Sequence, residues 1–518
     1  MYIFNIITKI IILTVCQYLL SSVALGGNNK TENLFLENEK TVDKKLRGGW
    51  SLWEPYQFYE FTHKGKILSG MDIRIAQALS RDVKIKIAYE EVPWSQHLDD
   101  IRDGKKDVAL AATHTEDREK YAYFSTPYRL EEDSLFVRHN TNKDIRFNSI
   151  THLLERIKAQ KFKLGVIEGS RYGNSQLNSF VDDSANNEVI FNFSNSVDAL
   201  DALIENEIDG FIEDRMVGTS TISNHKVTRD IKEVSLGIKI PVHFMFSKKT
   251  VPIELVERFN QSIEEFSRSD KYEDIVRAYI YPVILLHTID SEWFYVMGII
   301  GTIAFSISGI SIAARDNATL FGTLFFAMLP SMGGSVIRDL LASRQEIELF
   351  LTPIYMYYVI LTTLIGFFTV KLLNYYRTKL NKTSNLNYFW DHLLLIGDSL
   401  GRASFVVTGV AVAVVEKLEP LMLWGAFFAF LTANGGGIVR DILRKKHYMV
   451  CIDKTINPEI SIIWGIIFSI YLEINLHSID PAHIESAVIF VVLGAFATRI
   501  LTHYLKIPNL RFKDKKSS

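Results

Sequence analysis

Cysteine is nearly absent from this chain: Cys16 and Cys451 are the only two in 518 residues. Two cysteines so far apart build no disulfide framework. Charge of one sign is also lacking. The formal net charge is −2, which gives no electrostatic argument for a nucleic-acid partner. No Gly-x-x-x-x-Gly-Lys-Ser/Thr loop occurs, so no phosphate cradle of that type drives work by nucleotide hydrolysis. No kinase, cyclase or hydrolase motif and no cofactor-binding signature is present, and the chain reads as a non-enzyme. Hydrophobic residues make up 48% and charged residues 22%, close to a soluble average. That average hides a split. Residues 40–280 are mixed and charged, whereas 293–503 are mostly apolar with charges confined to short stretches.

The first residues read as an export signal, placed at 1–24. Lys9 precedes the apolar run Ile10-Ile11-Ile12-Leu13-Thr14-Val15, which continues to Leu20. Ser22-Val23-Ala24 then fits a small-x-small cleavage site. The run is shorter than the 20 or so residues a membrane span needs. Val15 is larger than the residue a lipidation site wants before Cys16.

Residues 46–282 alternate between strand-like and helix-like patterns. Ile67–Leu79 turns from a β edge into an amphipathic helix, and Val83–Tyr89 alternates like a strand. Asp107–Ala112 and Phe162–Ile167 read as buried strands, Ser196–Glu205 as a helix and Ile208–Ile212 as another strand. Such alternation predicts an α/β fold with sheets covered on both faces, and ligands outside the carboxyl ends of the strands.

The residues after those strands carry a resemblance. Trp53-Glu54-Pro55-Tyr56-Gln57-Phe58 with Gly70-Met71-Asp72 is similar to the opening of a family 3 extracellular solute-binding protein. So are Asp107–Ala112 running through Arg118 to Tyr128, Leu164–Ser170, and Asp209-Gly210-Phe211-Ile212-Glu213-Asp214, in the family's order. The resemblance implies a bilobal periplasmic-binding-protein-like domain that binds an amino acid or related small solute. A carboxylate needs a bidentate Arg and N–H donors, for which Arg118 is the candidate, with Ala112, Thr113 and Ser170 beside it. An ammonium needs a carboxylate, and Asp214 stands where the family places one. Trp53 and Tyr56 are candidates to cover the ligand. Taken alone, Arg118 after Glu116-Asp117 reads as a surface ion pair and Asp214 as a helix cap; the ordered motifs favour the ligand roles. Glu54 and Glu168 add carboxylates near the cleft, and would favour a cationic side chain if they face the ligand. His114 reads as a surface residue rather than a metal ligand, and no metal site is expected.

Seven apolar stretches follow, at about 293–313, 320–341, 354–373, 393–415, 421–442, 460–476 and 484–503. Most approach the length that spans hydrocarbon, and Ile354–Val370 holds no charged residue. An all-α domain of seven membrane helices is expected. With 46–282 exported, Arg315, Lys371, Arg377, Lys379, Lys382, Arg444, Lys445, Lys446, Arg511, Lys513, Lys515 and Lys516 fall inside. Glu346, Glu348, Glu416 and Glu419 fall outside, as the positive-inside rule asks. This puts the first domain in the periplasm and the C-terminus in the cytoplasm, across an inner membrane.

An internal repeat is visible. Gly301-x-x-Ala304-Phe305-x-x-Ser308-Gly309 parallels Gly401-x-x-Ser404-Phe405-x-x-Thr408-Gly409. Gly333-Gly334-Ser335-Val336-Ile337-Arg338-Asp339 parallels Gly435-Gly436-Gly437-Ile438-Val439-Arg440-Asp441. Three spans per copy, over 293–377 and 390–476, force opposite orientations, with a seventh helix at 484–503. These motifs resemble the UPF0126 family, whose members are glycine-transporter-like and share the trimeric intracellular cation (TRIC) channel fold. The resemblance implies a homotrimer and a path for a zwitterion or a monovalent cation. Gly333, Gly334, Gly435, Gly436 and Gly437 are then candidates to kink helices and free carbonyls, and Arg338, Asp339, Arg440 and Asp441 to line a polar path. The alternative for each Arg-Asp pair is to pin a helix end. Asp398 and Arg402, one turn apart, read as a pair on one helix face. Two functions are expected from these parts: transport of a small, glycine-like amino acid, or an amino-acid-gated potassium channel.

Overall fold

Eleven strands of the N-terminal region are β1 Lys45–Trp50, β2 Phe58–Thr62, β3 Gly65–Ser69, β4 Lys86–Glu91, β5 Val108–Thr113, β6 Ala122–Phe124, β7 Arg129–Arg138, β8 Leu164–Ile167, β9 Ile190–Phe193, β10 Gly210–Asp214 and β11 Ile231–Ser247. They come from a computed structural model that describes residues 45–62, 65–342, 344, 347–380, 386–444, 456–474, 481–505 and 507. The leader read at 1–24, both cysteines, Glu346, Lys382, Lys445, Lys446 and the basic residues 511–516 lie outside these. Nine strands form one sheet in the order β4-β1-β5-β11-β7-β10-β8-β9, with β6 against β11, while β2 and β3 pair as a hairpin. At one end β1 runs parallel to β4 and β5; at the other β8 runs parallel to β9 and β10. The antiparallel strands β7 and β11 join the two ends, since β11 pairs with β5 and β7, and β7 pairs with β10. Two lobes therefore hang on two crossing strands, an α/β fold with its crevice at the crossover.

The first lobe closes because helix Met71–Asp82 buries Ile73, Ile75, Ala76 and Leu79 against the sheet. Its N-terminal residue Gly70 has φ +116°, and a Cβ there would lie 2.2 Å from the Tyr56 carbonyl oxygen, so glycine is required. Helix Asp270–Ile289 then carries the chain to Glu292. One apolar core runs from the first lobe through Val276, Ile280 and Ile284 to Val406, Val410 and Val488 of the helical region.

Among the described residues, six helices of that region are long and apolar enough to cross a membrane: Glu292–Arg315, Leu320–Leu341, Ile354–Leu373, Leu395–Val415, Leu421–Leu443 and His483–Tyr504. The stretch read at 460–476 forms Asn457–Ile474, 18 residues with Glu459 and Glu473 near its ends, and is not among the six. Large apolar side chains such as Phe321, Phe350, Phe368 and Phe490 face outward, the arrangement a lipid solvent favours. Span Leu320–Leu341 is broken by a π-helical turn at Leu329–Gly333, so the first glycine pair marks a distortion. Helix Leu421–Leu443 runs through Gly435–Gly437 without a break. The glycines instead let backbones touch. A Cβ on Gly301 would lie 2.3 Å from Gly401 Cα, one on Gly334 2.2 Å from Thr432 O, and one on Gly436 1.9 Å from Leu329 O. The two copies of the repeat thus meet glycine to backbone across one interface.

Candidate functional site

Arg118 lies in the crevice between the lobes, not on the surface. Thr115 caps the short helix Glu116–Glu119 and delivers the Arg118 side chain inward, where only 6% of the residue is exposed. Its guanidinium donates to the Thr113 carbonyl of the first lobe and the Gly169 carbonyl of the second, each at 2.8 Å. Burial pushes its pKa down to about 10, so it stays charged at neutral pH. Thr113 Oγ1 donates to the Arg171 carbonyl at 3.2 Å, and Trp94 Nε1 to the Gly169 carbonyl at 3.2 Å. Ala112 is fully buried within β5, and Ser170 follows the left-handed Gly169 in the turn after β8. These bonds hold the two lobes closed upon one another.

Trp53 and Tyr56 pack on the first-lobe side with ring centres 4.8 Å apart and planes tilted by 46°. Trp53 Nε1 donates across the crevice to Glu213 Oε1 at 3.2 Å. Asp214 serves as the N-cap of helix Arg215–Asn224, its Oδ1 accepting from the Met216 and Val217 amides at 2.9 and 3.1 Å. Its Oδ2 lies 3.4 Å from the Glu132 amide. The cap role and a place in the crevice therefore coexist, with Asp214 only 3% exposed.

Further charged residues meet here that sequence reasoning did not name as ligand candidates. Arg129, first residue of β7, is bidentate on Asp72 at 2.7 and 2.9 Å and reaches Glu131 at 2.8 Å. Its guanidinium lies 3.7 Å from the centre of the Tyr56 ring. Two residues beyond Glu131, Asp133 sits directly opposite Asp214 in the β7–β10 ladder. Burial, then the charges of Asp214 and Glu213, hold the Asp133 carboxyl well above the usual range. Burial raises Glu213 to about 7, although Ser196, the Asp214 amide and Trp53 all donate to it. The signal was present as Arg129-x-Glu131-x-Asp133, one face of a strand, but inward charges invert the pattern that marks a core.

Glu54 faces elsewhere and accepts from Asn224 Nδ2 at 3.0 Å. His114 packs its ring against Phe124 at 4.7 Å and lies 3.5 Å from Glu119. Among the described residues no three His, Cys, Asp or Glu side chains are arranged to hold a metal ion.

In the helical region both Arg-Asp pairs are buried and internally closed. Arg338 donates to Asp339 and Glu348, while Arg344 bridges Asp339 and Glu416 of the other repeat, each at 3.4 Å. Arg440 pairs with Asp441 at 2.9 Å, and Arg444 with Asp316 of the first repeat at 2.6 Å. Each pair thus closes one end of the bundle and ties one repeat to the other. Between these ends Arg402 is bidentate on Asp398 at 3.0 and 3.2 Å and donates to Asn434 at 2.7 Å. The binding domain rests against the Glu416 end. Lys417 pairs with Glu60 of the β2–β3 hairpin at 2.8 Å, and Arg229 of the second lobe lies over the Tyr295 ring at 3.8 Å.

Residues 51–282 match the family described as bacterial extracellular solute-binding proteins, family 3. Residues 295–371 and 395–473 match the family described as glycine transporter. The UPF0126 inner membrane protein YadS of Escherichia coli is 27% identical over 220 residues, 42% of this chain and 97% of that one. YvgT of Bacillus subtilis is 29% identical over 169 residues, 33% of this chain and 74% of that one. A UPF0126 membrane protein of Vibrio cholerae is 25% identical over 162 residues, 31% of this chain but only 62% of the relative's length. Among solved structures, an ancestral arginine-binding protein bound to glutamine is 23% identical, covers 46% of this chain and 99% of that one, and superposes with a TM-score of 0.38. The first match runs into the linker helix Asp270–Ile289 and the second begins beyond it, so residues 51–282 are a family 3 solute-binding domain fused to a UPF0126 glycine-transporter membrane domain.

Proposed function

We propose that the chain is an inner-membrane transport protein that captures a small amino acid in the crevice of its periplasmic domain and passes it to the membrane domain. The observation that carries this reading is Arg118, a buried guanidinium whose present partners are two carbonyls and no carboxylate. A ligand carboxylate is the stronger acceptor and is the natural exchange partner. Asp214 offers the opposite charge for an ammonium, and Trp53 and Tyr56 supply the apolar cover. Tethering the receptor to the membrane domain raises the effective concentration of solute at its mouth. In this reading Arg118→Ala weakens amino-acid binding by the full chain about a hundredfold, since charge-assisted bonds contribute roughly 1.5–3 kcal/mol each. Calorimetry on the detergent-solubilised protein measures this. Uptake of labelled glycine and of the bound amino acid into proteoliposomes tests the transport step; binding without any flux would remove it.

A second reading is an amino-acid-gated monovalent cation channel, in the homotrimeric arrangement the UPF0126 resemblance implies. What favours it is that each lobe grips a different place: Glu60 of the first holds Lys417, while the second holds Asp290 at the end of the linker helix through Ser223 at 3.3 Å and covers Tyr295 of the first span with Arg229. Movement between the lobes is then movement between the 416–420 connection and the first span. Lys417→Ala is expected to leave ligand affinity within about twofold, as an exposed ion pair contributes little. It should cut the ligand-dependent part of potassium current several-fold. Unchanged stimulation in planar bilayers would show that this contact transmits nothing.

A further inference from the structure

The crevice holds more negative charge than one amino acid needs. Asp72, Glu131, Asp133, Glu213 and Asp214 are all less than 9% exposed, and Arg129 is the cation buried among them. Arg129 is committed to Asp72 and Glu131. Glu213 is satisfied by three donors. Asp133 is different. It stands directly across the ladder from Asp214, a like-charge pair that a sheet ordinarily avoids. Its Oδ2 is buried and has no hydrogen-bond partner among the described residues, and neither has Arg129 Nη1. Buried polar atoms without protein partners call for a water, an ion or a ligand to satisfy them.

Asp133 and Glu131 do not sit on a mobile lobe edge. They lie on β7, one of the two strands that join the lobes, on the same face as Arg129. A group bound there touches the hinge, with the second lobe's Asp214 opposite. An α-ammonium takes one carboxylate and leaves its neighbour uncompensated. Two carboxylates facing one another in a closed crevice repel, and this repulsion opposes closure unless a second positive group lies between them.

We propose that the captured solute carries a second cationic group, received by Asp133 and Glu131 of the hinge strand beside Asp214, so that the crevice selects dibasic over neutral solutes. This rests on the reading of the crevice as the capture site and replaces glycine by a dicationic solute as its occupant. Two sources share the chemistry: a dibasic amino acid, which also offers a carboxylate to Arg118, and a simple diamine, which does not. Asp133 selects by charge rather than by shape. An isosteric amide there keeps the volume and removes the preference.

The test is calorimetry on the full chain with L-lysine, L-ornithine, L-arginine, putrescine, glycine and L-glutamine. At least one dicationic solute is expected to bind a hundredfold or so more tightly than glycine or glutamine, because a neutral solute leaves the buried Asp133 carboxyl without its partner. Asp133→Asn and Glu131→Gln should each narrow that gap to about tenfold or less. Arg118→Ala should weaken the dibasic amino acids but not putrescine. Near-ultraviolet circular dichroism verifies that the amide variants keep their packing. Glycine or glutamine binding as tightly as every dicationic solute overturns the proposal while leaving amino-acid capture standing. So does a gap that both amide variants leave unchanged. Binding of none of these solutes by the folded protein overturns both.

Discussion

Arg129→Leu is expected to destabilise the binding domain by ~3–5 kcal/mol, the scale for removing one partner of a buried ion pair. Asp72 is completely buried at the start of helix Met71–Asp82, and Arg129 is its bidentate partner across the domain. Leucine leaves Asp72 and Glu131 without a counter-charge in a place water does not reach. Burial works against the Arg129 charge, but Asp72 and Glu131 outweigh it and hold the guanidinium pKa well above its ordinary value. The loss extends to packing, because the guanidinium covers the Tyr56 ring. The triple variant Asp72→Leu, Arg129→Met, Glu131→Gln should recover most of the loss, since a buried charged cluster replaced as a unit by uncharged groups is often neutral. The denaturation midpoint of the binding domain, followed in the full chain by tryptophan fluorescence, measures both. A single-variant loss below about 1 kcal/mol would show that the pair is not needed to fix the hinge strand to the first lobe.

Gly436→Ala is expected to be the most damaging one-carbon change in the membrane domain. The added Cβ would lie 1.9 Å from the Leu329 carbonyl oxygen and 3.0 Å from the Gly334 amide nitrogen. Both are backbone, so no side chain can swing aside, and spans Leu320–Leu341 and Leu421–Leu443 must separate. Overpacking typically costs 1–3 kcal/mol, and a clash with backbone belongs at or above the top of that range. Gly435→Ala, one residue away, meets only Leu431 Cδ1 of its own helix at 3.3 Å and Gly334 Cα at 3.6 Å, and should be tolerated. Thermal melts read by size-exclusion in detergent would separate the two by many degrees; equal midpoints would remove the role of this interface.

Much of the fold was legible because its elements bury apolar residues in regular patterns. Val108–Thr113 and Leu164–Ile167 are short apolar runs and form the strands expected of them. The helix expected at Ser196–Glu205 is found at Ser196–Ile204, with Asn195 as its cap. The membrane spans stood out by length and lack of charge, and the shortest, Asn457–Ile474, was the least distinct. The hinge was not legible. In β7 Leu130 is 63% exposed while Arg129, Glu131 and Asp133 are buried, so alternation read as hydrophobic-inside gives the wrong face. The condition set on Glu54, that it face the ligand, is not met: it is held by Asn224, and the carboxylates lining the crevice come from other positions. The glycine motif was read as a source of kinks. The first copy does break its helix, at Leu329–Gly333, and the second does not; what both copies share is a backbone contact, information that lies between two helices and in neither alone.

The unbroken apolar core across the junction fixes a stoichiometry. Val276, Ile280 and Ile284 of the linker helix belong to the same packed cluster as Val406, Val410 and Val488. A receptor seated in this way is not a ligand of the membrane domain with an affinity of its own; it is a permanent subunit, one per bundle. In the proposed capture and transfer, a solute handed from crevice to bundle within one chain moves in a first-order event whose rate is indifferent to dilution. Overproducing such a chain adds receptors and bundles in strict proportion, so the ratio of capture sites to membrane domains is written into the gene and cannot be adjusted by expression.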